Sequence, residues 1–172
     1  IISPADGVIK YVKNIQGNEF PFALKNGRRI PLTAFNELNL IQSRGIQIGI
    51  SMTFLDVHVT RAPITGEFSC LRRIPGKYKS LKSLAALLEN ERVVGMIKGS
   101  ETNVGIVLIA SRLVRRIVMR LNEGQNVNIG QRIGMIRFGS QVDILIPQSD
   151  SLKVNVRFGD KDRAGETILA SC

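Results

Sequence analysis

Tryptophan is absent from the 172 residues, and phenylalanine and tyrosine bring the aromatic share to only 5%. Binders of single-stranded nucleic acid stack bases on such side chains, so that class is poorly provided for and no nucleic-acid partner is expected. Histidine occurs once, at position 58, and cysteine twice, at 70 and 172. Neither falls in a metal-ligand spacing, so no metal site is expected. Two isolated thiols suit a reducing interior, and Cys70 reads as a small core or strand residue. The longest apolar run, Val104 to Ala110, is far short of the roughly 20 residues that a spanning helix needs. A basic-then-apolar leader is also missing. Because the first motif begins at Ser3, we expect a segment ahead of it to have been trimmed away.

What is present fits one folded unit. The chain is 44% hydrophobic and 22% charged, enough apolar material for a single domain spanning 1–172 with its own core. Net charge is +10, which favours anionic partners. Basic residues gather at Arg28-Arg29, at Arg72-Arg73 with Lys77, Lys79 and Lys82, and at Arg112, Arg115, Arg116 and Arg120. Charge alone leaves lipid headgroups and nucleic-acid phosphates both open.

Short stretches rich in valine and isoleucine, separated by glycine-marked turns, predict a mainly β protein. The expected strands are 7–13, 47–52, 56–61, 104–110, 116–121, 133–138, 142–146 and 152–158. One segment differs. Tyr78, Leu81, Leu84, Ala85 and Leu88 recur at helical spacing among lysines, which predicts one amphipathic helix over about 77–91, covering a face of the sheet. A faint repeat links 124–133 to 159–168, each with a glycine pair, Gly124 and Gly130 or Gly159 and Gly165, bracketing a loop that leads into a strand. The pattern resembles the hairpins of barrel-sandwich hybrids, the architecture of carrier domains. The Met-Lys turn that such carriers modify is not matched by Met96-Ile97-Lys98, so the likeness speaks to architecture alone.

Gly139-Ser140 stands between the apolar runs 133–138 and 142–146. Such a pair reads as the two-residue turn of a hairpin, with a serine hydroxyl held close to the preceding peptide carbonyl. Four more segments accompany it: Ser3-Pro4-Ala5-Asp6-Gly7, Phe54-Leu55-Asp56-Val57-His58-Val59-Thr60-Arg61-Ala62-Pro63, Asn90-Glu91-Arg92 and the enclosing Arg137-Phe138-Gly139-Ser140. In this order they resemble the phosphatidylserine decarboxylases, and Arg-Phe-Gly-Ser resembles the archaeal-type proenzymes that act on phosphatidylserine or archaetidylserine. The likeness spans nearly the whole chain.

The resemblance implies a self-made cofactor. Ser140 would attack the Gly139 carbonyl, the chain would part into 1–139 and 140–172, and Ser140 would become a pyruvoyl group, an electron sink for decarboxylation. His58 stands where the family places a catalytic histidine, and Asp6 is the natural partner to orient its ring. Asp56 and Asp143 are fallback candidates. Many bacterial relatives carry a second histidine where this chain has Arg61, which cannot act as a base. Either His58 serves both self-cleavage and decarboxylation, or cleavage relies on strain and Asp6, with Arg61 holding a carboxylate or phosphate. Arg115 and Arg116 are further candidates for the substrate phosphate, and Asn90-Glu91-Arg92 reads as an ion-pair and helix-end device. The implied partners are an anionic phospholipid at the cytoplasmic side of the cell membrane, the chain's own cleaved fragment, and further copies in a homo-oligomer. The competing reading is a non-enzymatic basic β-domain that binds nucleic acid or an anionic surface.

Overall fold

The computed structural model describes residues 1–16, 22–25, 28–31, 44–75, 91–110, 117–136 and 140–171. Its strands, in chain order, are β1 (Gly7–Gln16), β2 (Phe22–Lys25), β3 (Arg28–Pro31), β4 (Arg44–Met52), β5 (Val59–Arg61), β6 (Gly66–Ile74), β7 (Arg92–Lys98) and β8 (Asn103–Ile109). There follow β9 (Ile117–Met119), β10 (Gln125–Val127), β11 (Arg132–Ile136), β12 (Ser140–Pro147), β13 (Lys153–Val154), β14 (Lys161–Asp162) and β15 (Ala170–Ser171). The mainly β expectation holds. The helix expected over about 77–91 lies outside the described residues, apart from Glu91.

Eight strands form an open sheet in the order β10-β6-β7-β8-β12-β4-β1-β14, and β5-β11-β9 form a smaller sheet. The core lies between them: Ile48, Ile50, Ile106, Leu108, Val142 and Ile144 of the large sheet share one buried cluster with Ile117, Ile133 and Ile136 of the small one. Strand β12 is central, and every residue from Ser140 to Ile146 is buried. Alternation sends Val142, Ile144 and Ile146 into that core and turns Gln141, Asp143 and Leu145 to the opposite face, which explains a near-continuous apolar run with only two strongly polar interruptions.

The order of the large sheet is symmetric about the β8–β12 pair, and the sequence repeat is half of the reason. Gly124 N–H donates to Phe68 O and Gly159 N–H to Ile9 O, while Gly130 N–H donates to Ala62 O and Gly165 N–H to Ser3 O. All four glycines have φ between +77° and +91°, the left-handed region that glycine enters without steric cost. The partners reveal a second correspondence that sequence inspection missed: Ser3-Pro4-Ala5-Asp6-Gly7 matches Ala62-Pro63-Ile64-Thr65-Gly66. Gly7 pairs with Asp162 and Gly66 with Val127 in equivalent registers. At both glycines the backbone of the neighbouring strand leaves no room for a side chain. An added Cβ would meet Ser51 O at 2.3 Å in one half and Lys98 O at 2.2 Å in the other.

The expected hairpin at Gly139-Ser140 does not form. Strand β12 has β4 on one edge and β8 on the other, and β11 is flanked by β5 and β9. With all four edges filled, β11 and β12 cannot pair with each other. The chain instead crosses from the small sheet to the large one between Ile136 and Ser140.

Candidate active site

The two halves of the large sheet differ where their inner strands are joined. β7 and β8 form a hairpin closed by a turn in which Gly99 N–H donates to Thr102 O. The equivalent pair, β4 and β12, runs in register from Ser140 opposite Met52 to Pro147 opposite Gly45, but no turn joins it. The chain leaves at Met52 and returns at Ser140. Ser140 therefore opens a central strand at a gap that the other half closes.

Ser140 is 3% exposed, and its hydroxyl lies 3.8 Å from Met52 Sδ. A thioether is a weak acceptor, so this contact ties the oxygen down only lightly. His58 immediately precedes β5, and its carbonyl accepts a hydrogen bond from Ile136 N–H at 3.0 Å. Four residues carry the chain from Ile136 to Ser140, a span of at most about 14 Å. Asp6 immediately precedes β1, whose Val8 sits opposite Ser51 on β4, and Pro4 O accepts from Arg61 N–H at 2.8 Å. Because β1 and β12 are both antiparallel to β4, they start at the same end of the sheet. Ser140 and Asp6 thus stand at the starts of the two strands that flank the end of β4, and His58 stands at the start of β5, bonded to the end of β11 from which the chain runs to Ser140. Gly139, Arg115 and Arg116 lie outside the described residues.

Comparison of the halves also shows what Asp6 is not needed for. Asp6 Oδ1 accepts from Ala164 N–H at 3.2 Å. In the other half, Thr65 Oγ1 accepts from Ile129 N–H at 3.0 Å. A neutral hydroxyl does the same structural task, so the fold does not require a negative charge there. Of the fallback acids, Asp56 is occupied in a turn, where its Oδ2 accepts from Thr53 N–H at 2.6 Å and from the Thr53 hydroxyl at 2.8 Å.

Asp143 is fully buried on the sheet face opposite Ser140's. Its carboxylate accepts from the Tyr11 hydroxyl at 2.5 Å, from Gln47 Nε2 at 2.7 Å and from Gln141 Nε2 at 2.6 Å. Burial pushes its pKa up to about 6, against the opposing pull of those hydrogen bonds and of the Lys13 charge. A β-bulge between Ile9 and Tyr11 makes this network possible, because the extra residue turns Tyr11 away from the core face that Ile9 occupies.

Arg61 donates from Nη1 to Gly130 O at 2.8 Å, and its Cδ would be 2.9 Å from a Cβ placed on Gly165. It therefore runs between the two repeat loops. Glu91 forms the ion pair expected of the Asn90-Glu91-Arg92 segment, but with Arg73. Its other oxygen accepts from Ile117 N–H at 3.2 Å, while Arg73 Nη2 donates to Ile117 O at 2.8 Å, a clasp between the two sheets. The missed residues are Ser3 and Asp162. Both are buried, and the Ser3 hydroxyl donates to Asp162 Oδ2 at 2.5 Å.

A family model described as phosphatidylserine decarboxylase matches residues 1–170. A protein of Methanocaldococcus jannaschii, provisionally named archaetidylserine decarboxylase proenzyme, is 37% identical over 170 residues, covering 99% of this chain and 80% of its own. A protein of Methanothermobacter thermautotrophicus with the same provisional name is 42% identical over 128 residues, which is 74% of this chain and 56% of that one. The phosphatidylserine decarboxylase proenzyme of Desulfotalea psychrophila is 35% identical over 170 residues, 98% of this chain and 69% of its own. These matches decide against a non-enzymatic basic β-domain: the chain belongs to the phosphatidylserine decarboxylase family and is a carboxy-lyase of that type.

Proposed function

We propose that this chain decarboxylates phosphatidylserine or archaetidylserine to the corresponding ethanolamine lipid, using a pyruvoyl group that it makes by breaking its own Gly139–Ser140 bond. The observation that carries this reading is the position of Ser140: buried, lightly held, and first in a central strand at the gap between β4 and β12. Serine at that place fits the precursor of the group.

In self-cleavage, Ser140 Oγ attacks the Gly139 carbonyl carbon, and His58 takes the hydroxyl proton and delivers one to the departing nitrogen, turning the amide into an ester. Asp6 orients the imidazole and steadies its positive charge. Removal of the Ser140 Cα proton then expels Gly139 as a carboxylate, and water displaces the residue-140 nitrogen as ammonia. The pyruvoyl group supplies an electron sink for the pair released as carbon dioxide departs. His58 would return a proton to the substrate carbon. Arg61, with Arg115 and Arg116, is assigned to the lipid's anionic groups.

Fragments 1–139 and 140–172 stay together because β12 remains between β4 and β8 and β14 remains on β1. The turn ahead of His58 supports work at a membrane surface: Phe54 is 74%, Leu55 81% and Val57 61% exposed. Apolar tips of this kind, on a chain of net charge +10, suit peripheral attachment to an anionic bilayer, here assigned to the cytoplasmic side of the cell membrane. Carbon dioxide release from vesicles containing serine lipids, diacyl and diether in separate assays, tests the proposal. Release from at least one class, lost in Ser140→Ala, is expected. Release from neither by a self-cleaved protein would refute it.

A further inference from the structure

The internal duplication serves as a control on the segment that presents Asp6 and on the strand beside it, because their residues have counterparts in the half that lacks Ser140. Ser3 corresponds to Ala62, Asp6 to Thr65 and Asp162 to Val127, through equivalent hydrogen bonds and strand registers. In the second half the trio is neutral, and its first and last members are apolar. Ala62 is 0% and Val127 2% exposed, both within the main core cluster. In the Ser140 half the same buried places hold a hydroxyl and a carboxylate, at 0% and 3% exposure. The fold is satisfied by alanine and valine there, so its own packing does not explain why this half carries a polar pair.

The pair joins two segments: Asp162 also takes hydrogen bonds from the Thr167 side chain and the Arg163 backbone, and Ser3 belongs to the segment that presents Asp6. Besides its 2.5 Å bond to Asp162 Oδ2, the Ser3 hydroxyl accepts from Ala5 N–H at 3.3 Å and lies 3.0 Å from Ala5 O. Ser3 O accepts from Gly165 N–H at 2.8 Å. Asp162 is paired with Gly7 on β1, so the carboxylate sits directly across from the residue after Asp6. The two carboxyl groups are close enough to interact. Burial is the main cause that raises Asp162 to about 6, and the Asp6 charge adds to it, against the hydrogen bond from Ser3.

We propose that Ser3 and Asp162 are positioning residues for Asp6, holding the Pro4–Gly7 turn from both sides so that the Asp6 carboxylate faces His58. This inference rests on the proposed role of Asp6 in self-cleavage. Asp162 lies on the far side of the Gly139–Ser140 bond from Asp6, so the anchor joins the two fragments and persists after the chain has parted.

The test transplants the other half's solution. In Ser3→Ala/Asp162→Val, the duplicated turn should pack as its counterpart already does, and removal of a buried carboxylate leaves stability equal or higher. Self-cleavage, followed by intact mass from the unprocessed precursor, should slow by roughly tenfold or more, the scale of a misplaced proton-handling group. Asp162→Asn, which keeps an acceptor for the Ser3 hydroxyl, should recover most of the rate. A double variant that melts like the wild type and cleaves at the wild-type rate would overturn the proposal. So would a lower melting temperature accompanied by wild-type cleavage in the folded fraction, since that is the signature of a purely structural pair. Failure of the wild type to cleave at all would instead remove the proposed function on which the inference rests.

Discussion

At the scale of single residues, the duplication separates charge from structure. Thr65 performs Asp6's structural hydrogen bond without a charge, so Asp6→Thr should fold with a melting temperature close to the wild type's while self-cleavage falls by about 100-fold or more, the contribution of a proton-handling assembly. Circular dichroism melts and time-resolved mass spectrometry check the two halves of that statement. Asp143 makes a different prediction. Its folded pKa of about 6 lies above the roughly 3.9 of a free carboxyl. Protonation therefore favours the native state: the stabilisation is fully present below about pH 4 and is lost as pH rises through about 6, a change on the order of 1–3 kcal/mol. Asp162 is shifted in the same direction. The melting temperature should fall between pH 5 and 7.5, and Asp143→Asn should flatten part of that slope. Equal slopes in both proteins would contradict the assignment. Position 143 could be shortlisted from sequence, as a carboxylate inside an apolar strand. Ser3 opens a segment that the sequence singles out, but its pairing with Asp162 could not be foreseen, because it spans 159 positions and no local pattern marks Asp162.

At the scale of elements, the strands with strong valine and isoleucine content were legible: the stretches expected at 47–52, 104–110 and 142–146 correspond to β4, β8 and β12. β6 and β7 were missed, because Gly66-Glu67-Phe68-Ser69-Cys70-Leu71-Arg72-Arg73-Ile74 and Arg92-Val93-Val94-Gly95-Met96-Ile97-Lys98 mix charge and glycine into their runs. Their pairing supplies what composition lacks, and Gly95 is there to admit Phe68, whose ring would lie 2.6 Å from an added Cβ. The hairpin expectation failed for a topological reason, since local sequence cannot report that both edges of each strand are already taken. The duplicated turns give a paired prediction. Gly7→Ala and Gly66→Ala each force a Cβ against a backbone carbonyl and should each cost about 1–3 kcal/mol, measurable by denaturant unfolding. Only Gly7→Ala should also slow self-cleavage, because only Gly7 follows Asp6. Equal slowing in both would indicate a general loss of fold rather than displacement of the site.

At the scale of the whole molecule, a symmetric sheet differs between its halves in how the inner strands are joined. One half closes β7 onto β8 with a short turn. The other leaves β4 and β12 unjoined, with Ser140 and Asp6 at the starts of the strands on either side of β4. The resemblance read from five segments anticipated the family, and the repeat of glycine pairs anticipated the architecture. The second-half counterparts were illegible because Ala62-Pro63-Ile64-Thr65-Gly66 shares only proline and glycine with Ser3-Pro4-Ala5-Asp6-Gly7. The central claim is that this fold is a precursor that severs itself ahead of residue 140, and intact mass of freshly purified protein tests it most directly. The account predicts two co-purifying fragments, 1–139 and 140–172, the second beginning in a ketone that hydrazide reagents label, and a single uncut chain for Ser140→Ala. A wild-type chain that stays whole and ketone-free while releasing carbon dioxide from serine lipids would contradict it.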